Sequence, residues 1–477
     1  MRRVRLTGAP LLAATLAACS FAPHYRTPAS PPPAERYQEL GDWKPATPGD
    51  AAPRGEWWRS FGDADLDALE TKAAAANESL KAGFARLQQA RAQTRIARAG
   101  LLPHVTAQAA PGRVRTSQNS PRFPTGEEPV YNNFDLEADL SYELDVWGRI
   151  RNTVAAAKAG QQASAADLAS LNLAIQAELA LDYYALRGAE AEQALLDRTV
   201  ADYAKALDLT RNLYQGGAAA LADVAQAEAQ LDTARTQAAD VTLQRAQTLH
   251  ALAVLVGENP TSFRLAVSPL PLVATPPPLD PGLPSALLER RPDVAAAERR
   301  VAAANATIGV ARAAYFPVFS LTGAAGYDSA TYSSLLQAPS RLWALGGSGV
   351  LTVFDAGLHR AQSAQARAAY DEHVADYRNA VLGAYQEVED QIAALRQLAL
   401  ESDSEAAAVT ASAKALEQAM NLYRAGATTY LQVVSTENAA LQAQVSALSI
   451  QTRRLSATVL LVKALGGGWQ AGSPPAQ

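Results

Sequence analysis

A mainly α-helical chain with a small β part, built by tandem duplication of one unit, is what three features of this sequence point to. The stretch Asn152–Val256 has no proline and almost no glycine except at Gly216-Gly217. From Phe134 to Val146 every second residue is apolar. Short motifs from the first half also return in the second, most of them 209 residues later.

The proline-free stretch reads as two long helices folded at a glycine hinge. At ~1.5 Å of rise per residue, the 63 residues from Asn152 to Tyr214 make a rod of about 95 Å, longer than a globular domain uses. Leu168, Leu171, Ile175 and Leu179, then Leu196, Val200, Tyr203 and Leu207, keep spacings of 3 and 4, close to the 3.5-residue repeat of helices that wind around each other. Alanine fills the gaps, favouring helix and close approach. Taken alone, this stretch also fits a solvent-exposed coiled-coil spacer.

The duplication changes that balance. Asn212-Leu213-Tyr214-Gln215-Gly216-Gly217-Ala218 returns as Asn421-Leu422-Tyr423-Arg424-Ala425-Gly426-Ala427, and Val224 returns as Val433. Asp145-Val146-Trp147-Gly148-Arg149 has its counterpart in Asp355-Ala356-Gly357-Leu358-His359, with one residue dropped. Ala97-Arg98-Ala99 up to Pro103 corresponds to Ala311-Arg312-Ala313 up to Pro317. A period this long is a doubled domain, not a short-repeat solenoid. The second rod begins near Gly357, and Val374, Tyr377, Val381, Ala384, Val388 and Leu395 keep the coiled spacing. After Gly426 the last helix runs to Leu465, ended by Gly466-Gly467-Gly468-Trp469.

The strands follow from a change of period. Phe134, Leu136, Ala138, Leu140, Tyr142, Leu144 and Val146 alternate with Asp135, Glu137, Asp139, Ser141, Glu143 and Asp145. One apolar and one acidic face suit a membrane barrel strand around a wet lumen, although a single hairpin of this kind also fits a half-buried soluble sheet. His104–Arg115 is its partner strand, across a proline-rich loop at 116–129. Val318–Tyr327 and Leu342–Phe354 form a second hairpin with many glycines. Four strands per chain cannot close a barrel, whereas three chains supply twelve, so a trimer is the smallest ring that avoids open edges in lipid.

Composition limits the alternatives. With 48% hydrophobic but only 6% aromatic residues, the 477-residue chain suits an alanine-rich helical body rather than a compact enzyme core. Its formal net charge of −5, with both signs interspersed, points to no nucleic-acid partner. The only cysteine is Cys19. Arg2, Arg3 and Arg5 precede a short apolar run, and Leu16-Ala17-Ala18-Cys19 matches the bacterial lipoprotein processing box, predicting removal of 1–18 and acylation of Cys19. An ordinary secretory signal is the other reading. Residues 19–55, with eight prolines, are expected to form a core-less, semi-rigid tether. Glu56 to Gly62 brings Trp57, Trp58 and Phe61 as a docking point; Asp63 or Asp65 caps a helix running to about Gly100, stopped by Pro103. The first repeat thus spans 56–256 and the second 292–465, joined by a proline-rich connector at 257–291 with a short strand at Phe263-Arg264-Leu265, and 466–477 is a polar tail. Pro292 restarts the helix.

The lipobox, Trp57-Trp58, Tyr142-Glu143-Leu144-Asp145-Val146-Trp147-Gly148-Arg149, Arg290-Arg291-Pro292-Asp293-Val294 with Ala303 to Ala313, and the two Leu-Tyr-x-x-Gly hinges together resemble the outer-membrane efflux factor family, TolC-like exit ducts of the lipoprotein NodT-type branch. The resemblance runs through essentially all of the chain after Cys19. It implies a homotrimer: a periplasmic α-helical barrel topped by a 12-stranded transmembrane β-barrel, four strands per chain. Its implied partners are outer-membrane lipid, a periplasmic adaptor and an inner-membrane pump of the proton-driven RND type. Ser20 after the cysteine implies export to the outer membrane. Tyr214, Gly216, Gly217, Tyr423 and Gly426 would form the periplasmic hinges that meet the adaptor, and Trp147, Gly148 and Gly357 the strand-to-helix turns. The family's pore constriction falls on Leu431, Val434 and Ser435. Ser435 stands where related ducts often carry an aspartate, and Asp223, Glu228 and Glu437 are candidates to replace that acid.

Nothing in the sequence assembles catalysis. His24, His104, His250, His359 and His373 are scattered, and no glycine-rich phosphate loop is followed by Lys-Ser/Thr. The expectation is a passive duct with no cofactor and no metal, driven by its partner. A duct for protein or peptide secretion, and a non-channel stalk lipoprotein, are the alternatives.

Overall fold

Helices account for most of the chain because the alanine-rich, proline-free stretches have no alternative that satisfies their backbone. A computed structural model describes residues 20–34, 36–40, 54–119, 130–270 and 290–467. The signal segment, Cys19, the tip of the first strand loop, most of the connector and the C-terminal tail lie outside them. The helices are α1 (Ala64–Ala76), α2 (Glu78–Ala99), α3 (Arg149–Gln215), α4 (Leu221–Leu255), α5 (Pro292–Ala313), α6 (Leu358–Arg424) and α7 (Tyr430–Ala464), and the strands are β1 (His104–Arg115), β2 (Val130–Leu144), β3 (Val318–Ser329) and β4 (Arg341–Val350). Among the described residues no helix is long and apolar enough to cross a membrane.

The duplication is exact in length where the rods are concerned. α3 and α6 each have 67 residues and α4 and α7 each have 35. Three glycine pairs 209 residues apart, Gly148/Gly357, Gly217/Gly426 and Gly257/Gly466, all have positive φ. Each marks a helix boundary that needs a left-handed residue.

The chain divides into two compact units that cut across both repeats. The first comprises the described residues through Ala29 with Arg86–Ser164 and Ala296–Arg378; the second comprises Ser30–Ala85, Ala165–Ala295 and Asn379 onward. The first holds the sheet, an antiparallel meander in the order β1-β2-β3-β4 whose outer edges, on β1 and β4, are unpaired among the described residues. β4 stops at Val350 rather than continuing to Phe354, leaving Val353 and Phe354 almost fully exposed.

The described parts of the proline-rich N-terminal segment, expected as a semi-rigid tether, are instead docked on the rest of the chain. In the first unit Phe21 stacks on Phe316 at 4.4 Å, Ser20 Oγ donates to Asn152, the Tyr25 hydroxyl donates to Glu298, and Asn305 and Arg378 donate to the carbonyls of Pro23 and Ala29. In the second unit Tyr37 is buried and the backbone N–H groups of Gln38 and Glu39 donate to the Glu389 carboxylate.

The core of the second unit forms where Trp57 and Trp58 meet Leu66, Leu69, Leu179, Tyr183, Tyr184, Leu252 and Phe263. Asp63 caps α1 by accepting from Asp65 and Leu66 N–H, while Asp65 pairs with buried Arg187. The expected single helix from Asp63 to Gly100 breaks at Asn77 (φ −62°, ψ 123°), whose side chain donates to Leu255 O and caps α2 through Leu80 N–H. No strand forms at Phe263–Leu265. Phe263 anchors in the core, and the following residues bond to α3 instead: Arg187 donates to Ala266 O, and Glu190 accepts from Ser268 N–H.

One core residue is costly. Glu70 is 1% exposed, and neither carboxylate oxygen has a hydrogen-bond partner. Burial, reinforced by Asp67, pushes it up to about 9. The folded state therefore holds a proton the unfolded state releases, and stability falls as pH rises from about 4.5 towards about 9. Glu70→Leu is expected to stabilise the protein by about 2 kcal/mol near neutral pH and to flatten that decline, checked by thermal melts across the range.

Candidate functional site

Two places carry the residues singled out by sequence: the glycine turns that end α3 and α6, and the sheet with its strand-to-helix turns. Both glycine turns close in the same way. Ala218 N–H donates to Leu213 O and Gly217 N–H to Tyr214 O; Ala427 N–H donates to Leu422 O and Gly426 N–H to Tyr423 O. These are Schellman closures with glycine in the left-handed position.

Their surroundings differ. Tyr214 is 44% exposed, whereas Tyr423 is buried, its hydroxyl 3.4 Å from Thr210 Oγ1 and its ring 5.3 Å from buried Tyr430. Tyr423, Tyr430, Val433 and Val434 form one apolar cluster with Tyr203, Leu207, Val224, Ala227 and Leu231. Gln230 ties α4 to α7 by donating to Asn438 Oδ1 at 2.6 Å. Of the constriction candidates, Leu431 and Ser435 are exposed one helical turn apart, while Val434 faces the core.

None of the three carboxylates expected to replace the missing aspartate is free on the surface. Asp223 accepts from Ala220 N–H and so caps α4. Glu228 pairs with Arg211 at 2.7 Å, and Glu437 is buried. Sequence reading missed the cluster around Thr210 and Tyr430. The signal that reveals it is the comparison of repeats, since Tyr430 replaces Leu221, which is exposed.

At the first strand-to-helix turn Asp145 accepts from Ile150 and Arg151 N–H, Arg149 forks onto Glu143 at 2.8 and 2.7 Å, and Trp147 Nε1 donates to Pro317 O. At the second, Asp355 accepts from Gly357 and His359 N–H, with Ala356 and Gly357 both at positive φ. The paired Asp145 and Asp355 are therefore caps that start the rods.

The register sorts the sheet into two faces. Leu136 stands opposite Ala109 and Tyr327, Leu140 opposite Val105 and Gly323, Tyr142 opposite Leu321, and Ala325 opposite Trp343. The reverse face carries Asp135, Glu137, Asp139, Thr322 and Asp328. Large apolar side chains on the first face, Trp343 and Leu345 among them, are exposed.

The sequence profile of the outer membrane efflux protein family matches residues 69–258 and 283–467, covering both repeats. The chain belongs to this family. It is 34% identical over 467 residues to the toluene efflux pump outer membrane protein TtgF of Pseudomonas putida, covering 96% of each chain. Its fold matches the outer-membrane channel OprN with a TM-score of 0.88 at 31% identity, covering 95% of this chain and 100% of that one. It also matches the CmeC outer membrane channel of Campylobacter jejuni, with a TM-score of 0.89 at 27% identity, covering 95% and 96%. This efflux protein is thus an outer-membrane channel component. Its Arg-Arg-Pro-Asp motif is a latch within the second unit: Arg291 forks onto Asp293 and reaches Glu387 of α6 and the Ala464 carbonyl at the end of α7.

Proposed function

We propose that three copies of this efflux protein form a passive exit duct, a 12-stranded barrel in the outer membrane continued by a periplasmic barrel of helices. The observation that carries this reading is the sheet: among the described residues it has four strands, two unpaired edges, one apolar face and one acidic face. In lipid an open edge leaves backbone groups unsatisfied, and three sheets joined edge to edge remove all six edges while turning the acidic faces to a wet lumen. The repeats at 56–256 and 292–465 supply rods of about 100 Å, enough to extend well into the periplasm. Cys19, acylated after loss of 1–18, anchors each chain, and the docked segment from Ser20 supports that reading by leading to a fixed seat.

Trp147, Gly148 and Gly357 turn the chain from strand to rod. The turns at Gly216-Gly217 and Gly426, with Tyr214 and Tyr423 before them, meet a periplasmic adaptor, and exposed Leu431 and Ser435 narrow the lumen, with Val434 behind them. An inner-membrane pump of the proton-driven RND type supplies the energy, and this chain needs no chemistry of its own. The name of the relative TtgF supports small apolar solutes as cargo rather than proteins.

Single-channel recording on the purified chain in planar bilayers tests the reading. Discrete current steps are expected. Membrane-inserted protein that passes no current would sink the duct and favour a stalk.

A further inference from the structure

The part of the second unit that carries both glycine turns contains a carboxyl group with no counter-charge among the described residues. Glu437 of α7 is 5% exposed and its Oε2 has no hydrogen-bond partner. The titratable groups facing it are Tyr203 and Asp202 from α3 and Tyr430 from its own helix, with Tyr423 of α6 packed behind Tyr430. α4 contributes neutral Gln230, which donates to the Tyr203 hydroxyl and to Asn438. None of these is a cation.

The other repeat shows what is missing. The counterpart of Glu437, 209 residues earlier, is Glu228, which is solvated and held by Arg211 at 2.7 Å. The counterpart of Arg211 is Met420, which packs against the apolar cluster. The second repeat thus keeps the acid, buries it and puts a thioether where the cation stood. An ionised carboxylate in that setting is expelled or protonated, because nothing offsets its lost hydration.

We propose that Glu437 is a pH-operated release for the second hinge: protonated, it lets the first turns of α7 pack on α3 and α4, and ionised, it loosens them. Leu431 and Ser435 lie on the outward face of those same turns, so the release shifts them; this consequence for the lumen rests on the duct reading. Burial, with Asp202 adding to it, pushes the group up to about 7. The packed state therefore binds the proton more tightly than the released state. Packing is fully favoured below about 4.5, weakens as pH rises and reaches its full penalty above about 7. Within that window the ratio of packed to released hinge falls about tenfold per pH unit.

The test uses the full chain in two readouts, conductance in planar bilayers and amide hydrogen exchange over residues 430–440 corrected for intrinsic rates, each from about pH 5 to about pH 8. The wild type is expected to gain conductance and lose protection as pH rises. Glu437→Gln, isosteric and neutral, should stay at the low-pH values throughout. Met420→Arg restores the cation of the first repeat and should keep protection at high pH. If wild type and Glu437→Gln follow the same pH course, the proposal is overturned. If exchange responds in the wild type only but no current flows at any pH, the release stands and the duct reading fails.

Discussion

Leu136→Arg is expected to prevent insertion into the outer membrane, while Glu137→Gln, its neighbour on the reverse face, should insert as the wild type does. Leu136 lies mid-strand on the apolar face, flanked by Ala109 and Tyr327, with no side chain of its own chain covering it fully. A guanidinium on the lipid face of a barrel costs about 2–4 kcal/mol near the bilayer midplane, and the trimer proposed above would carry it three times, so ~6–12 kcal/mol would oppose one assembly. Glu137 is on the acidic face, and losing one charge there relieves repulsion from Asp135, Asp139 and Asp328. Fractionation into outer membrane and heat-modifiable mobility on gels report the outcome. Equal insertion of both variants would mean that the sheet does not face lipid as assigned.

The second large effect is at Arg291. Its guanidinium is buried and makes a fork to Asp293, an ion pair with Glu387 at 2.6 Å and a bond to the last carbonyl of α7. Removing one partner of a buried pair costs about 3–5 kcal/mol, discounted here to about 3 because both carboxylates remain partly solvated. Arg291→Ala is therefore expected to lower the melting temperature by several degrees and to speed unfolding. Arg291→Lys keeps the charge but not the fork, so it should recover only part of the loss. A melt unchanged by Arg291→Ala would remove the latch from this account.

What the sequence conveys well is whatever repeats or alternates. The rods and glycine turns are legible because Gly217 and Gly426 and the heptad leucines recur at fixed distances, while the return of Asp145 as Asp355 marks the pair without disclosing that both cap a rod. β2 is legible because thirteen alternating residues leave one face apolar and one acidic. The features that escaped depend on partners far along the chain. Asn77 breaks a helix because Leu255 offers it a carbonyl, and the N-terminal segment docks because Phe316, Glu298 and Glu389 receive it. The buried state of Glu437 is invisible in its own surroundings and emerges only beside Glu228. Asp223 shows a second kind of role: beside a constriction motif its spacing from Ala220 also makes it a cap, which the motif alone does not disclose.

In the proposed assembly three open sheets close into one barrel continued by a hollow helical cylinder. Cryo-electron microscopy of the detergent-extracted protein tests it most directly. A threefold particle is expected, with β1 of one chain paired to β4 of the next and a lumen running through helices of about 100 Å. A monomeric rod, or a particle in which those two edges remain unpaired, would contradict it.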